Sequence, residues 1–233
     1  ELLKKKEIAL SHTPIGLYES VSELTLSHIL TLLRNVPLLD KQLRCGTWNK
    51  IIGKSISDSK IGIIGFGRIG IQVKKLIRSL SDKQILIHDK NKSNFDKEFI
   101  NDKKIKFVDL NYLLQNSDVV TLHLPLTKDT YNYISKKELE IMKSDAIIIN
   151  TSRGGIVNEL DLFKHLSLNQ EFSAGIDVFE EEPYKGPMKE LDNILISPHI
   201  GSSTKKSRYL MEVSAVKEVI NFHNGKSLKY EIM

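Results

Sequence analysis

The sequence has little of several features that mark specialised protein classes. Its 233 residues include one cysteine, Cys45, which excludes a disulfide framework and a multi-cysteine metal site and predicts a reducing, cytoplasmic setting. It has no run of about 18 apolar residues, and its N-terminus lacks the apolar core of a signal peptide, so we expect no membrane partner. No group of histidines and carboxylates has metal-ligand spacing, so we expect no metal.

The charge pattern gives little support for nucleic-acid binding. The chain has 34 Lys and Arg against 29 Asp and Glu, a formal net charge of +5. The lysines occur as scattered pairs, such as Lys74-Lys75 and Lys136-Lys137, which are typical of solvated helix faces and turns. We therefore expect no nucleic-acid partner, although the charge suits a small anionic ligand.

Short apolar runs alternate with helical patterns along most of the chain. The runs are Ile61–Ile64, Ile85–Ile87, Ile105–Val108, Val119–Leu122, Ile147–Ile149, Ala174–Val178 and Ile194–Ile196. They are rich in β-branched residues and apolar at consecutive positions, as expected of strands buried on both faces of a parallel sheet. The alternation predicts an α/β fold with a doubly wound parallel sheet of the Rossmann type.

A helix is predicted at each end of this alternating region. Ser20-Val21-Ser22-Glu23 has the pattern of a capping box, and we expect a helix from there to about Arg34, ended by Pro37. Its leucines and isoleucines surround most of the helix, so it is either a central core helix or a helix that contacts another domain or subunit. The last helix is predicted to end at Gly225.

Gly65-Phe66-Gly67-Arg68-Ile69-Gly70 has the spacing GxGxxG. It follows a predicted strand, precedes an amphipathic helix, and is followed about 20 residues later by Asp89 at the end of the next strand. This context predicts a dinucleotide site, with a diphosphate at the helix N-terminus and Asp89 on the ribose hydroxyls; a purely structural turn is the alternative. The carboxylate favours NAD over NADP, whereas Lys90 and Lys92 weaken that preference.

Polar residues follow several of the apolar runs, and the carboxyl ends of parallel strands form the ligand-binding edge of such a sheet. Arg153, His199 and a glutamate from Glu180–Glu182 are the notable ones. An arginine that binds a carboxylate, a histidine that transfers a proton and a carboxylate that holds the histidine suit hydride transfer to a 2-keto acid. Taken singly, each also fits a surface ion pair, a loop histidine or a solvated face.

Five blocks together resemble the NAD-dependent D-isomer-specific 2-hydroxyacid dehydrogenases, a group that includes phosphoglycerate dehydrogenase and glyoxylate or hydroxypyruvate reductase. The blocks are Gly65–Gly70, Ser117–Thr127, Asn150–Gly155, Ala174–Pro183 and Pro198–Gly201. They occur in the family's order, and the resemblance covers about Thr13 to Ile220. It implies an oxidoreductase that uses NAD to interconvert a D-2-hydroxy acid and a 2-keto acid, with 3-phosphoglycerate or glyoxylate and hydroxypyruvate as candidates.

The resemblance also implies particular site residues. Arg153 is expected to bind the substrate, His199 to act as acid and base, and Glu182 to be the histidine's partner. The cofactor residues expected from the motif and the resemblance are Gly65, Gly67, Arg68, Ile69, Gly70, Asp89, Leu124, Pro125, Thr151, Ser152, Arg153, Asp177, His199, Gly201 and Ser202.

The domain organisation is likewise inferred from the family. We expect residues 1–12 to be a remnant of a substrate domain, residues 13–208 to be the NAD-binding domain with a helix that forms a homodimer, and residues 209–233 to return towards the substrate domain. Most of the substrate domain is expected to be missing, so the 233 residues should bind NAD far better than they turn over substrate. A protein of this fold that senses NAD and binds partners without turnover is the alternative function.

Overall fold

The fold is given by a computed structural model that describes residues 2–6, 8–90 and 102–232. Lys92 lies outside these ranges, as do residues 1, 7 and 233 at the two ends of the chain. The chain divides into two compact units. The larger unit is Ser22–Ile200, and the smaller unit combines Glu1–Val21 with Gly201–Met233.

The larger unit is built on a parallel sheet of seven described strands. The strands are β1 (Ile61–Ile64), β2 (Ile85–His88), β3 (Ile105–Phe107), β4 (Val119–Leu122), β5 (Ile147–Asn150), β6 (Ser173–Ile176) and β7 (Ile194–Ile196). Their spatial order is β3-β2-β1-β4-β5-β6-β7, and every neighbouring pair is parallel. This order confirms the predicted doubly wound sheet, whose strand order reverses between β1 and β4.

Helices connect the strands and flank the sheet. The described helices are α1 (Leu2–Lys5), α2 (Leu17–Leu33), α3 (Val36–Arg44), α4 (Arg68–Arg78), α5 (Leu110–Asn116), α6 (Lys136–Glu140), α7 (Glu159–Leu168) and α8 (Lys205–His223), and Pro187–Glu190 forms a 3₁₀ turn. Within the described ranges, no helix combines the length and the apolar character needed to span a bilayer.

The apolar runs form two cores because alternate strand residues point to opposite faces of the sheet. Ile63 of β1 packs in one cluster with Ile29 of α2 and Val73 of α4. The next residue, Ile64, belongs to the other cluster, which includes Leu113 of α5 and Leu162 of α7. Burial on both faces explains why these strands are apolar at consecutive positions, as the sequence pattern indicated.

The helix α2 begins four residues earlier than the capping-box pattern, with Ser20 as its N-cap, predicted. It starts at Leu17, directly after Gly16, whose φ of +83° places it in the left-handed region. The hydroxyl of Ser20 donates to Leu17 O at 3.2 Å within the first turn, so Ser20 is not the N-cap. The expected stop near Pro37 is correct for α2, but Pro37 lies in the first turn of α3, a position that tolerates proline.

The smaller unit contains α8 and the two ends of the chain. Glu218 of α8 is buried and accepts hydrogen bonds from Ser11 Oγ at 2.8 Å and from the Tyr230 N–H at 3.1 Å. These contacts fasten both terminal segments to one helix. Gly225, with a φ of +66°, follows the end of α8, as its position in the sequence predicted.

Candidate active site

The glycine-rich turn joins β1 to α4 with little room for side chains. Gly65 has a φ of +88°, and a Cβ there would lie 2.5 Å from His123 O. A Cβ on Gly70 would lie 2.3 Å from Gly65 O. A Cβ on Gly67, in contrast, would meet no atom of the described residues within 4 Å apart from its chain neighbours, so this glycine borders open space at the start of α4. The turn therefore offers close backbone approach at a helix N-terminus, as a diphosphate requires.

The acidic residue predicted for the ribose lies beside this turn. Asp89 follows β2, and its Oδ2 accepts a hydrogen bond from the Phe66 N–H at 2.7 Å. It lines a cavity of about 350 Å³ together with Gly67 and the segment His123–Pro125. Lys90 Nζ lies 3.9 Å from Asp129 Oδ2 at the same cavity. The cavity is continuous with the turn, and its carboxylate suits ribose hydroxyls better than a phosphate.

His123 directly follows β4 and forms part of the wall of this cavity. Its Nε2 lies 3.0 Å from Thr121 Oγ1, and its Nδ1 is buried with no hydrogen-bond partner in the described part of the chain. Burial lowers the pKa of His123 to about 3. The imidazole is therefore neutral at pH 7.

The loop after β5 carries Arg153 and is held by a single asparagine. Asn150 Oδ1 accepts hydrogen bonds from Ser152 N at 3.1 Å and Ser152 Oγ at 2.7 Å, and Asn150 Nδ2 donates to Arg153 O at 2.9 Å. Thr151 and Ser152 are buried, whereas Arg153 is exposed and its Nη1 donates to Ser152 O at 2.6 Å. The loop is thus rigid at its base and presents a guanidinium at its tip.

Gly154 brings this loop against the segment that follows β6. A Cβ on Gly154 would lie 1.9 Å from Phe179 O and 2.5 Å from Glu180 N, so the two backbones are in direct contact. The second backbone continues to Glu182. This close approach places the loops of Arg153 and Glu182 side by side.

Glu182 and His199 form the predicted pair. Glu182 Oε2 lies 2.8 Å from His199 Nδ1, and both side chains remain partly exposed. Burial raises the pKa of Glu182. The hydrogen bonds from His199 and the Phe179 N–H, together with the charges of His199 and Arg153, lower the pKa by a larger amount. The net result is a pKa below the usual 4.5, so Glu182 is an ionised acceptor for the imidazole at neutral pH.

A buried aspartate holds the segment that carries His199. Asp177 is fully buried; its Oδ1 accepts hydrogen bonds from Ser197 Oγ at 2.6 Å and from the Ile200 N–H at 2.9 Å. Its backbone carbonyl accepts the His199 N–H at 2.8 Å. His199 itself has a φ of +51°, which is uncommon for a residue other than glycine and is maintained here by these contacts on both sides.

Residues 26–201 match the family described as D-isomer specific 2-hydroxyacid dehydrogenase, NAD binding domain. The chain belongs to this family. It is an NAD-dependent oxidoreductase that acts on a hydroxy acid and keto acid pair.

Individual relatives support the same assignment. The chain is 36% identical to glyoxylate reductase of Thermococcus litoralis, covering 95% of this chain and 69% of the relative. It is 35% identical to glyoxylate/hydroxypyruvate reductase B of Enterobacter sp., covering 97% and 71%. The structure matches D-lactate dehydrogenase with NAD⁺ from Lactobacillus jensenii with a TM-score of 0.87 and 25% identity, covering 100% of this chain and 74% of that one. The chain thus spans about 70% of the length of these dehydrogenases.

NAD fits the residues of this dehydrogenase. The open space at Gly67 accommodates a diphosphate against backbone, and the Asp89 carboxylate at the neighbouring cavity can accept hydrogen bonds from a ribose. Leu124 packs on the turn, since a Cβ on Gly65 would lie 3.0 Å from its Cδ2. Gly201 and Ser202, which the sequence reasoning expected beside the nicotinamide ring, belong to the smaller unit.

The sequence reasoning missed two buried polar residues of α2. Thr25 Oγ1 lies 2.8 Å from Thr151 Oγ1, and His28 Nε2 lies 3.3 Å from Ser197 Oγ. Both side chains are buried and point to loops that carry predicted site residues. The available signal was their spacing, because Ser22, Thr25 and His28 recur every three residues on a helix that is otherwise largely apolar.

Proposed function

We propose that this dehydrogenase reduces a small 2-keto acid, or oxidises the D-2-hydroxy acid, with His199, Glu182 and Arg153 as its reacting groups. The contact of 2.8 Å between His199 Nδ1 and Glu182 Oε2 carries the proposal. An ionised carboxylate on one ring nitrogen leaves the other, Nε2, to exchange a proton with the substrate oxygen. NAD supplies or accepts the hydride when it is bound.

In the direction of reduction, His199 in its protonated form donates a proton to the oxygen of the keto group. Glu182 stabilises the imidazolium and fixes the orientation of the ring. In the direction of oxidation, the neutral imidazole accepts the hydroxyl proton, and the same carboxylate stabilises the charge that appears on the ring. The pair of His199 and Glu182 thus supports both reduction and oxidation by transferring one proton at His199 Nε2.

Arg153 is proposed to bind the carboxylate of the substrate. Its side chain is exposed at the tip of a loop that Asn150 holds, and it uses Nη1 for the bond to Ser152 O. A guanidinium has further N–H groups in a planar fork that matches a carboxylate. Its positive charge also contributes to the lowered pKa of Glu182, which supports placing the two groups near one another.

The remaining predicted residues are proposed to bind the cofactor. They comprise the turn at the diphosphate, the acid at the ribose, the cavity wall, and the residues expected along the nicotinamide: Gly65, Gly67, Arg68, Ile69, Gly70, Asp89, Leu124, Pro125, Thr151, Ser152, Arg153, Asp177, His199, Gly201 and Ser202. The geometry of Gly67 and Asp89 supports the first two groups most directly.

Glyoxylate, hydroxypyruvate and the 3-phosphoglycerate pair are the proposed substrates. The names of the relatives support glyoxylate and hydroxypyruvate, and a net charge of +5 suits an anionic acid of any of these kinds. We further propose that the enzyme is a cytoplasmic homodimer. The exposure of Trp48 and Ile52, at 79% and 97%, supports a subunit interface at residues 48–52. The exposed thiol of Cys45 suits a reducing compartment.

The domain assignment is part of the same proposal. Residues 1–12 are proposed to be a remnant of the substrate domain, residues 13–208 the NAD-binding domain, and residues 209–233 a segment that returns towards the substrate domain. The grouping of both chain ends in one compact unit supports the assignment of the terminal segments.

The decisive experiment compares wild type with His199→Gln in the full-length enzyme. We expect kcat/KM for glyoxylate with NADH to fall by a factor of about 100 or more, because proton transfer in the transition state is lost. The dissociation constant of NADH, measured by fluorescence titration, should change less than about threefold. Turnover that survives in the variant contradicts the role of His199. Tight NADH binding with no turnover of any 2-keto acid by wild type indicates the NAD-sensing alternative instead.

A further inference from the structure

The helix α2 directs two buried polar side chains towards the loops of the proposed active site. Thr25 contacts Thr151, which lies two residues before Arg153. His28 contacts Ser197, which lies two residues before His199. They lie three residues apart and therefore on one face of the helix. Burying an imidazole in an apolar helix–sheet contact costs free energy unless the ring is hydrogen-bonded. The burial of His28 therefore depends on its hydrogen-bond contacts.

His28 is the first member of a partly buried hydrogen-bonded chain. The hydroxyl of Ser197 donates to Asp177 Oδ1 at 2.6 Å, so its oxygen can accept from His28 Nε2, which lies 3.3 Å away. The same Asp177 oxygen accepts the Ile200 N–H at 2.9 Å. The chain thus runs from His28 to the residue that directly follows His199.

The surroundings of His28 Nδ1 determine which ring nitrogen carries the proton. His28 Nδ1 is buried and has no hydrogen-bond partner in the described part of the chain; a Cβ on Gly175 would lie 3.0 Å from it. A proton on Nδ1 would thus be buried without an acceptor. Burial lowers the pKa of His28 more than the charge of Asp177 raises it, so the neutral form with its proton on Nε2 is favoured. That form donates to Ser197.

We propose that His28 is a positioning residue: through Ser197 and Asp177 it holds the backbone at His199 and Ile200, and so the imidazole, in the geometry that the reaction needs. His199 has a φ of +51°, and a residue other than glycine leaves that region unless its neighbours hold it. The segment therefore needs the support that His28 provides. The inference rests on the proposed role of His199. It adds a residue of α2 to the proposed catalytic pair, whose members both lie outside the helices.

The first test uses three variants of His28 in the full-length enzyme. His28→Gln keeps an amide at the position of Nε2, His28→Asn places its amide near Nδ1 only, and His28→Leu removes both. We expect kcat with NADH and glyoxylate to fall about tenfold or more in the Asn and Leu variants, with the KM for NADH unchanged. The Gln variant should remain within about threefold of wild type. Equal kcat values in the Gln and Leu variants, at equal melting temperatures, would overturn the proposal.

The second test measures the backbone link directly and needs no turnover. Hydrogen exchange of the Ile200 amide should accelerate about tenfold in His28→Leu and in Ser197→Ala, while exchange at Ile148 in the central strand stays unchanged. Ser197→Thr, which retains a hydroxyl, is the matched control. The double variant should exchange no faster than either single variant, since both break one chain. Unchanged exchange at Ile200 refutes the link.

The two measurements separate this inference from the proposed function. If His199→Gln retains turnover, the function of His199 is wrong, whereas the exchange at Ile200 still decides whether His28 supports that segment. If the Leu variant fails to fold, the comparison of Gln with Asn and of Ser197→Ala with Ser197→Thr decides the question.

Discussion

The hydroxyl oxygens of Thr25 and Thr151 lie 2.8 Å apart in a fully buried position, although 126 residues separate them along the chain. This contact joins α2 to the loop after β5. Because a hydroxyl buried without a partner is unfavourable, the pair links the stability of the fold to the position of the loop that carries Arg153.

Thr25→Val tests this link, because valine has nearly the same shape and lacks the hydroxyl. We expect the free energy of unfolding to fall by about 1–3 kcal/mol in urea denaturation, since the Thr151 hydroxyl loses its partner in the core. The KM for the keto acid should rise as the Arg153 loop loosens. Thr25→Ser keeps the oxygen and should recover the KM, and Thr31→Val, half-buried on the same helix, should change stability by less than about 0.5 kcal/mol.

The two glycines of the turn should respond differently to alanine. Gly67→Ala should bind NADH at least about tenfold more weakly and change the apo stability by less than about 1 kcal/mol, because its Cβ enters open space. Gly70→Ala should lower the stability by more than about 2 kcal/mol, because its Cβ would lie 2.3 Å from Gly65 O. Fluorescence titration and thermal melts distinguish the two. If Gly67→Ala binds NADH as tightly as wild type, the diphosphate does not bind at Gly67.

Glu182→Gln should lower kcat by about 10-fold to 100-fold and leave NADH affinity unchanged, because an amide cannot stabilise the His199 imidazolium as a carboxylate does. The pKa of Glu182 lies below 4.5, so the carboxylate is present above that pH and is lost as the pH falls through its lowered pKa. The difference between variant and wild type should therefore be largest near neutral pH. Glu181→Gln, one residue earlier and exposed, is the matched control and should retain wild-type kcat.

His123 should make the fold less stable in acid. Its pKa is about 3 in the folded protein against 6.5 in the unfolded chain, so between these values the unfolded state binds the extra proton. The resulting loss is at most about 1.4 kcal/mol per pH unit as the pH falls below 6.5. His123→Gln should remove this part of the slope in denaturation curves at pH 4 to 7. Thr121→Val, which keeps the imidazole, should preserve it; an unchanged slope in His123→Gln would contradict the assignment.

The strands and the glycine turn were predictable because each depends on local sequence. A strand covered on both faces must be apolar at successive positions, and Ile61–Ile64 shows this without knowledge of its neighbours. The pairing of Glu182 with His199 was narrowed to one glutamate only by the family resemblance, since three adjacent glutamates have the same local pattern.

The start of α2 and the function of its polar face were not predictable in this way. Ser20 has the residue type of an N-cap, but a glycine in the left-handed region four residues earlier starts the helix sooner. The function of His28 could not be read from its position on the helix, which says nothing about what faces it. The contact with Ser197 depends on how β7 is placed against α2, which only the folded chain specifies.

The direct contact of backbone at Gly154 with backbone at Phe179 has a consequence for redesign of the enzyme. At this point the separation of the two main chains that carry Arg153 and Glu182 is set by backbone contact, with no side chain of Gly154 between them. Exchanging side chains around the pocket can therefore alter which acids enter, but it does not widen the spacing of these two main chains. An engineer who wishes to change that spacing must alter the length of one of the two loops.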